Sequence, residues 1–147
     1  MYNDEQPDCA ESFCCCADGS GRLRARFTER YGQSMAQSLL QQIQKPDDVK
    51  KIPERELPAL CEEIRAKLIE TVAENGGHLS SNLGVVELTV ALYRIFSFPE
   101  DQIVWDVGHQ CYTHKLLTGR QGLFSSLRTE GGISGFPNRA ESPLDVF

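Results

Sequence analysis

The chain has 147 residues and a formal charge of −6, which is the size of one domain on a prior of about 100 to 200 residues per domain. The negative charge excludes the class of nonspecific nucleic-acid binders, whose affinity comes largely from Lys and Arg replacing phosphate counterions, but not an anionic small molecule held by a few local donors. No apolar run approaches the roughly 18 residues of a membrane span, and no basic segment followed by an apolar core opens the chain, so no membrane partner and a cytoplasmic location are expected.

Residues 1–37 are dominated by Asp, Glu, Gln, Ser and Gly, hold no period and contain Gly19-Ser20-Gly21; a disordered leader is expected there. Its Cys9, Cys14, Cys15 and Cys16 lack both a secretion signal and the C-x2-C spacing of a zinc knuckle, so neither a disulfide framework nor a zinc site is expected. Residues 38–52 predict a short helix with a turn at Lys45-Pro46-Asp47-Asp48. A longer helix is predicted from Pro53 or Pro58 to Asn75, because Leu57, Leu60, Ile64, Leu68 and Val72 form one stripe while Glu62, Glu63, Arg65, Lys67 and Glu70 fall largely opposite. Gly76-Gly77 ends it.

From Gly84 to Phe96 apolar residues surround the helix almost completely, which predicts burial on all sides, with Ser81 or Asn82 capping its N-terminus. Gln102-Ile103-Val104-Trp105-Asp106-Val107 reads as a short buried strand. A helix over about 110–118, ended by Gly119, and a short one over 122–127 follow, and Gly131 to Pro137 is too rich in glycine to be regular. This order favours an α/β layer structure. The final Glu141-Ser142-Pro143-Leu144-Asp145-Val146-Phe147 has no helix-ending glycine, basic last turn or polar tail, so a piece of a longer protein is expected, with an incomplete sheet.

Two glycine-flanked histidines are the candidate chemistry. His78 follows a helix end and precedes Ser80 and Ser81; helix amides and hydroxyls there can hold an anionic or carbonyl oxygen, and an imidazole titrates near working pH. The alternative is that His78 merely bonds a nearby carbonyl. His109 follows Gly108 at the end of the expected strand, the edge where open α/β sheets bind ligands; the alternative is a structural turn histidine. A three-histidine metal site with His114 is conceivable but lacks the i, i+4 spacing of a helical zinc motif. Arg128 and Arg139 flank the glycine-rich stretch and can clamp a phosphate, or can simply be solvated. Cys61 reads as a small core residue, and Cys111, beside His109, as either core or thiolate.

Five runs stand out together: Leu57-Pro58 with Cys61 to Arg65, Gly77 to Leu92, Trp105 to Gln110, His114 to Arg120, and Gly131 to Pro137, covering about residues 38–147. In this order they resemble the 1-deoxy-D-xylulose-5-phosphate synthase family of transketolase-like thiamine diphosphate enzymes. The resemblance implies the N-terminal part of a diphosphate-binding α/β domain, mostly helical with a short parallel sheet. It implies condensation of pyruvate with glyceraldehyde 3-phosphate with loss of carbon dioxide, feeding isoprenoid, thiamine and pyridoxal precursors. It also implies thiamine diphosphate and Mg2+ as cofactors and a homodimer for the intact enzyme. His78 matches a catalytic histidine over the thiazolium, His109 a cofactor-binding histidine near the diphosphate, Ser81 a serine near the acceptor phosphate, and Arg128 an arginine that helps close and order the substrate site. Ser80 stands where the family usually has alanine or glycine. The Gly-Asp-Gly to Asn motif that holds magnesium, and the glutamate that activates the aminopyrimidine, are not in this sequence, so the chain alone is expected to be inactive; the leader has no counterpart. The competing expectation is a truncated, non-catalytic paralogue that acts as an interaction module through exposed apolar surface.

Overall fold

The computed structural model describes residues 38–147; the expectations for residues 1–37 and their four cysteines lie outside the described residues. The element that organises the rest is α1, Leu57–Asn75. Its stripe residues Leu60, Ile64 and Leu68 are fully buried, as the sequence period requires of a helix with one apolar face. Gly76, at φ +73°, closes the helix with its N–H donating to the Val72 carbonyl. Ahead of α1 lie three 3-10 turns, Leu40–Gln42, Pro46–Lys51 and Glu54–Glu56. The Lys45–Asp48 turn is thus the start of a helical turn: Pro46 sits at its first position, and the Asp48 carboxylate accepts the Gln44 and Lys45 N–H groups. Glu63 on α1 accepts from Ser38 Oγ and from the Leu39 and Leu40 amides, pinning the first described residues to the helix.

After α1 come α2, Leu79–Leu83, and α3, Val86–Ile95. α3 differs from expectation. It buries Val86, Thr89, Val90 and Tyr93, whereas Leu88 and Ile95 are 55% and 73% exposed; the described elements cover one side of it only. Nor is it capped by Ser81 or Asn82, since Val85 occupies the N-cap and no side chain bonds there. Arg65 ties α3 to α1 through Glu87, at 2.5 and 2.6 Å, and reaches the Leu83 carbonyl. Arg94 caps the Pro46–Lys51 turn by donating to the Val49, Lys50 and Ile52 carbonyls.

The expected strand at 102–107 is not formed: among the described residues there is no strand. Trp105 is buried but Val104 and Val107 are 61% and 74% exposed. The β-branched run is extended-prone, but a ladder needs a neighbour for its N–H and C=O groups, and the sequence of one segment says nothing about that neighbour. The architecture among the described residues is helical. The chain continues into α4, Tyr112–Leu117, all six of whose residues are buried, and a 3-10 turn, Gln121–Ser126; both fall where helices were expected. One core joins Leu60, Ile64 and Leu68 of α1 with Val90 and Tyr93 of α3, Tyr112 and Leu116 of α4, and Phe124 and Leu127 beyond it. No helix among the described residues is long and apolar enough to cross a membrane.

Candidate active site

His78 and His109 stand beside each other. Their ring centroids are 5.3 Å apart at 72°, and Phe136, from the glycine-rich loop, meets His78 edge-on at 6.3 Å. His78 is exposed and His109 half-buried. Neither ring bonds a carbonyl among the described residues, and His109 Nδ1 is buried with no partner there. A buried polar atom without a partner is uncommon in a folded chain and calls for a ligand, water or ion.

The backbone around the two rings is unusually constrained. Gly77 has φ +143° and Gly108 φ +87°. A Cβ at Gly108 would lie 2.6 Å from Pro137 Cδ, and one at Gly77 would lie 2.9 Å from Tyr112 Oη, so both positions combine close approach with a left-handed φ that only glycine takes without strain. Among the described residues two non-glycine residues also hold left-handed φ, Val107 at 59° and Arg128 at 63°. For a β-branched residue such as Val107 this is a genuine outlier, and strain of this kind gathers at functional sites. Nothing in the local sequence signals it.

Arg128 is drawn to the same place. Its N–H donates to the Ile133 carbonyl at 2.8 Å, and its aliphatic stem runs between Gly77 and Gly135, whose Cβ positions would lie 3.6 Å and 3.0–3.1 Å from it. Ser81, one turn after His78, turns its hydroxyl back to donate to the His78 carbonyl at 3.3 Å. The four residues singled out by the resemblance, His78, Ser81, His109 and Arg128, are therefore collected around one surface. Arg139 is not part of it in any recorded contact; it is exposed, and its N–H donates to the Phe147 carbonyl.

Asn82 is a site residue that sequence reasoning misassigned to helix capping. It is fully buried, and its Nδ2 donates to the His78 carbonyl at 2.7 Å and to the His109 carbonyl at 2.8 Å, while its Oδ1 accepts the Tyr112 N–H at 2.9 Å. Its position four residues after His78 was visible, but the second contact spans 27 residues and has no local signal.

His114 belongs to a different constellation. Its Nε2 meets Asp145 Oδ1 at 2.9 Å and its Nδ1 meets Tyr93 Oη at 2.6 Å, so both nitrogens are engaged away from the other histidines. Burial holds its pKa below the ordinary histidine value, against the Asp145 hydrogen bond. The neutral ring then donates from Nε2 to the carboxylate and accepts from Tyr93, whose hydroxyl burial keeps protonated. Asp145 also receives a fork from Arg120, Nη1 to Oδ2 at 2.7 Å and Nη2 to Oδ1 at 2.8 Å, and the Asn138 N–H at 2.7 Å. Burial alone would raise its carboxyl, but the His114, Arg120 and Asn138 hydrogen bonds outweigh that and hold it well below the usual carboxylate range. Lys115, fully buried, donates to Glu141 Oε2 at 2.6 Å. Cys111 is a core residue: burial pushes its thiol up to about 12, and Sγ faces the Gly135 carbonyl, so it is no thiolate nucleophile. Cys61 is likewise buried with its thiol raised, burial being the main cause. Among the described residues no group of three or more His, Cys, Asp or Glu is placed to hold a metal ion.

Comparison with known proteins is decisive for the family. The sequence pattern of 1-deoxy-D-xylulose-5-phosphate synthase matches residues 40–147. Proteins named 1-deoxy-D-xylulose-5-phosphate synthase are similar to this chain in Anaeromyxobacter sp. (strain K), at 60% identity over 109 residues, 74% of this chain and 17% of the relative, and in Bordetella petrii, at 60% over 113 residues, 77% and 18%. The relative in Aromatoleum aromaticum is 62% identical over 109 residues, 74% and 18%. The matched stretch thus spans under a fifth of each relative. It favours an enzyme segment over the interaction-module reading. A pattern matching residues 40–147, identity near 60% over about three quarters of the chain, and glycine-flanked histidines brought edge-on to each other have one common explanation: this chain belongs to the 1-deoxy-D-xylulose-5-phosphate synthase family.

Proposed function

We propose that residues 38–147 supply the two-histidine half of a thiamine diphosphate site in a transferase that condenses pyruvate with glyceraldehyde 3-phosphate and releases carbon dioxide. The observation that carries the reading is the His78–His109 pair at 5.3 Å with His109 Nδ1 buried and unpartnered. A diphosphate oxygen is the acceptor that such a donor lacks, and the neighbouring Gly77 and Gly108 leave the main chain bare for a close approach, so the residues present fit the cofactor. When bound, thiamine diphosphate supplies the carbanion chemistry.

The chain's own residues then divide the remaining work. His109 donates from Nδ1 and fixes the diphosphate end. His78, on the exposed side of the pair, gives or takes a proton at the substrate oxygen, the general acid–base role an imidazole can fill. Ser81 exchanges its weak bond to the His78 carbonyl for a phosphate oxygen of the acceptor. Arg128, held by its strained backbone beside Gly77 and Gly135, supplies a guanidinium for the same anion. Phe136 packs edge-on against His78 and limits the ring's orientation from that side. The described residues do not fit a magnesium site. The intact enzyme is proposed to be a cytoplasmic homodimer, and the short sheet is retained as a proposal in which residues 102–105 pair with a strand from outside 38–147.

The test is a chimera in which residues 40–147 replace the matching stretch of the Bordetella petrii relative, assayed with pyruvate, glyceraldehyde 3-phosphate, thiamine diphosphate and Mg2+. Turnover close to that of the parent is expected, falling about 10²- to 10⁴-fold with His78→Ala. The 147-residue chain alone is expected to give none. A folded chimera without turnover would sink the proposal.

A further inference from the structure

We propose that Asn82 is a positioning residue that fixes the separation of the two site imidazoles. Its Nδ2 holds the carbonyls of both residues that bear them, His78 at 2.7 Å and His109 at 2.8 Å. No backbone–backbone hydrogen bond joins the 76–78 and 106–110 segments among the described residues, so the carboxamide is their direct polar tie. Only an amide side chain offers two N–H donors on one atom with an acceptor beside them. The orientation follows from the partners: two carbonyls lie on one side and the Tyr112 N–H on the other, and a flip would set oxygen against two oxygens.

The third bond extends the clamp into the core. Tyr112 opens α4 and is fully buried, and its hydroxyl receives the His78 N–H at 3.5 Å. Asn82 thus references both loops to the most buried helix of the described chain. With all its donors used and no exposure, the side chain has little freedom to let the rings drift. The catalytic consequence rests on the proposed reaction: a misplacement of about 1 Å in such a site costs on the order of 100-fold in rate. The clamp itself does not depend on that reaction.

The test uses the 147-residue chain in solution NMR. In the unsubstituted protein the Asn82 side-chain amide protons should exchange slowly, and a cross-peak should join the His78 and His109 rings. Asn82→Asp keeps an oxygen for the Tyr112 N–H but, once ionised, donates to neither carbonyl. The ring-to-ring cross-peak should then vanish at neutral pH while the buried Trp105–His114 contact, with centroids 5.9 Å apart, persists. As pH falls and the introduced carboxyl takes up a proton, one donor returns and part of the cross-peak should recover, which a merely structural role would not produce. In the chimera the same substitution should lower kcat about 100-fold with a much smaller change in KM for pyruvate. Freely exchanging Asn82 amide protons in the unsubstituted chain, a measurement that needs no variant to fold, would overturn the clamp. So would an unchanged cross-peak in Asn82→Asp. A chimera that is inactive with Asn82 in place overturns the reaction and leaves the clamp standing.

Discussion

Replacing Arg120 with methionine tests how the buried charges hold the C-terminal segment. Arg120 is 5% exposed; methionine keeps much of its length and removes the fork onto Asp145, at 2.7 and 2.8 Å, together with its bonds to Thr118. Asp145 keeps the Asn138 N–H and His114 but becomes a buried carboxylate without a full countercharge. Removing one partner of a buried pair costs about 3–5 kcal/mol, and the surviving bonds point to the lower end. Against an m-value of about 1–3 kcal/mol per molar urea, roughly 3 kcal/mol lowers the urea midpoint by 1–3 M, readable from the fluorescence of the single, buried Trp105. The penalty must also depend on pH. In the unsubstituted chain the Asp145 carboxyl lies below its unfolded value near ~3.9, so its stabilisation is complete above that value and disappears as pH falls through the folded one. Without Arg120 the folded value moves up, and the difference between the two proteins shrinks as pH drops from 7 toward 4. Arg120 also helps hold the His114 pKa down, so without it the folded ring takes up a proton more readily, which narrows the penalty in the same direction. A penalty below about 1 kcal/mol, or one that is equal at pH 7 and pH 4, would refute the assignment of the Arg120–Asp145 pair as a stabilising element.

Two further outcomes are expected. Since burial holds the folded His114 below its ordinary value, the unfolded chain binds the extra proton first; stability should be full above about pH 6.5 and fall as pH decreases, with a slope of at most about 1.4 kcal/mol per pH unit from this group, and a flat urea midpoint between pH 8 and 5 would contradict it. Gly108→Ala places a Cβ 2.6 Å from Pro137 Cδ at φ +87°; the left-handed backbone alone costs about 1–2 kcal/mol, so the melting temperature should fall by roughly 4–8 °C or more, and an unchanged value would mean that the loop moves aside freely.

How much of this was legible depended on where each residue's partners lie. The stripe of α1 and its glycine stop were readable because helix period and cap are local, and Leu60, Ile64 and Leu68 are buried as the pattern required. The two histidine loops were readable because glycine marks a sharp turn. The polarity of Tyr112-Thr113-His114-Lys115 gave no hint that all of α4 is buried: what makes Lys115 and His114 tolerable inside are Glu141 and Asp145, 26 and 31 residues on. The reverse error occurred on α3, where an all-round apolar sequence was read as all-round burial while Leu88 and Ile95 face outward. The segment 102–107 forms no strand among the described residues for the same reason, since a strand is defined by its neighbour. For the candidate site, the resemblance singled out His78, Ser81, His109 and Arg128, while the Asn82 hydrogen bonds and the left-handed Val107 emerge only when the loops meet.

The two constellations are not independent. Glu141 Oε1 accepts the Ser134 N–H at 2.7 Å and Asp145 Oδ2 accepts the Asn138 N–H at 2.7 Å, so the part-buried Glu141 and the buried Asp145 hold the two ends of the 134–138 loop. Between those ends sit Phe136, edge-on to His78, and Pro137, against Gly108. Burying two cations and a carboxylate, with a second carboxylate part-buried, is a poor way to gain stability, because desolvation offsets much of their attraction and apolar residues of similar volume often serve as well. An apolar replacement could fill the same space but could not accept those two backbone N–H groups. The charges beneath α4 therefore act on the histidine pair through the loop that walls it, just as Asn82 acts on it through the carbonyls of the histidines themselves, and both routes end on α4.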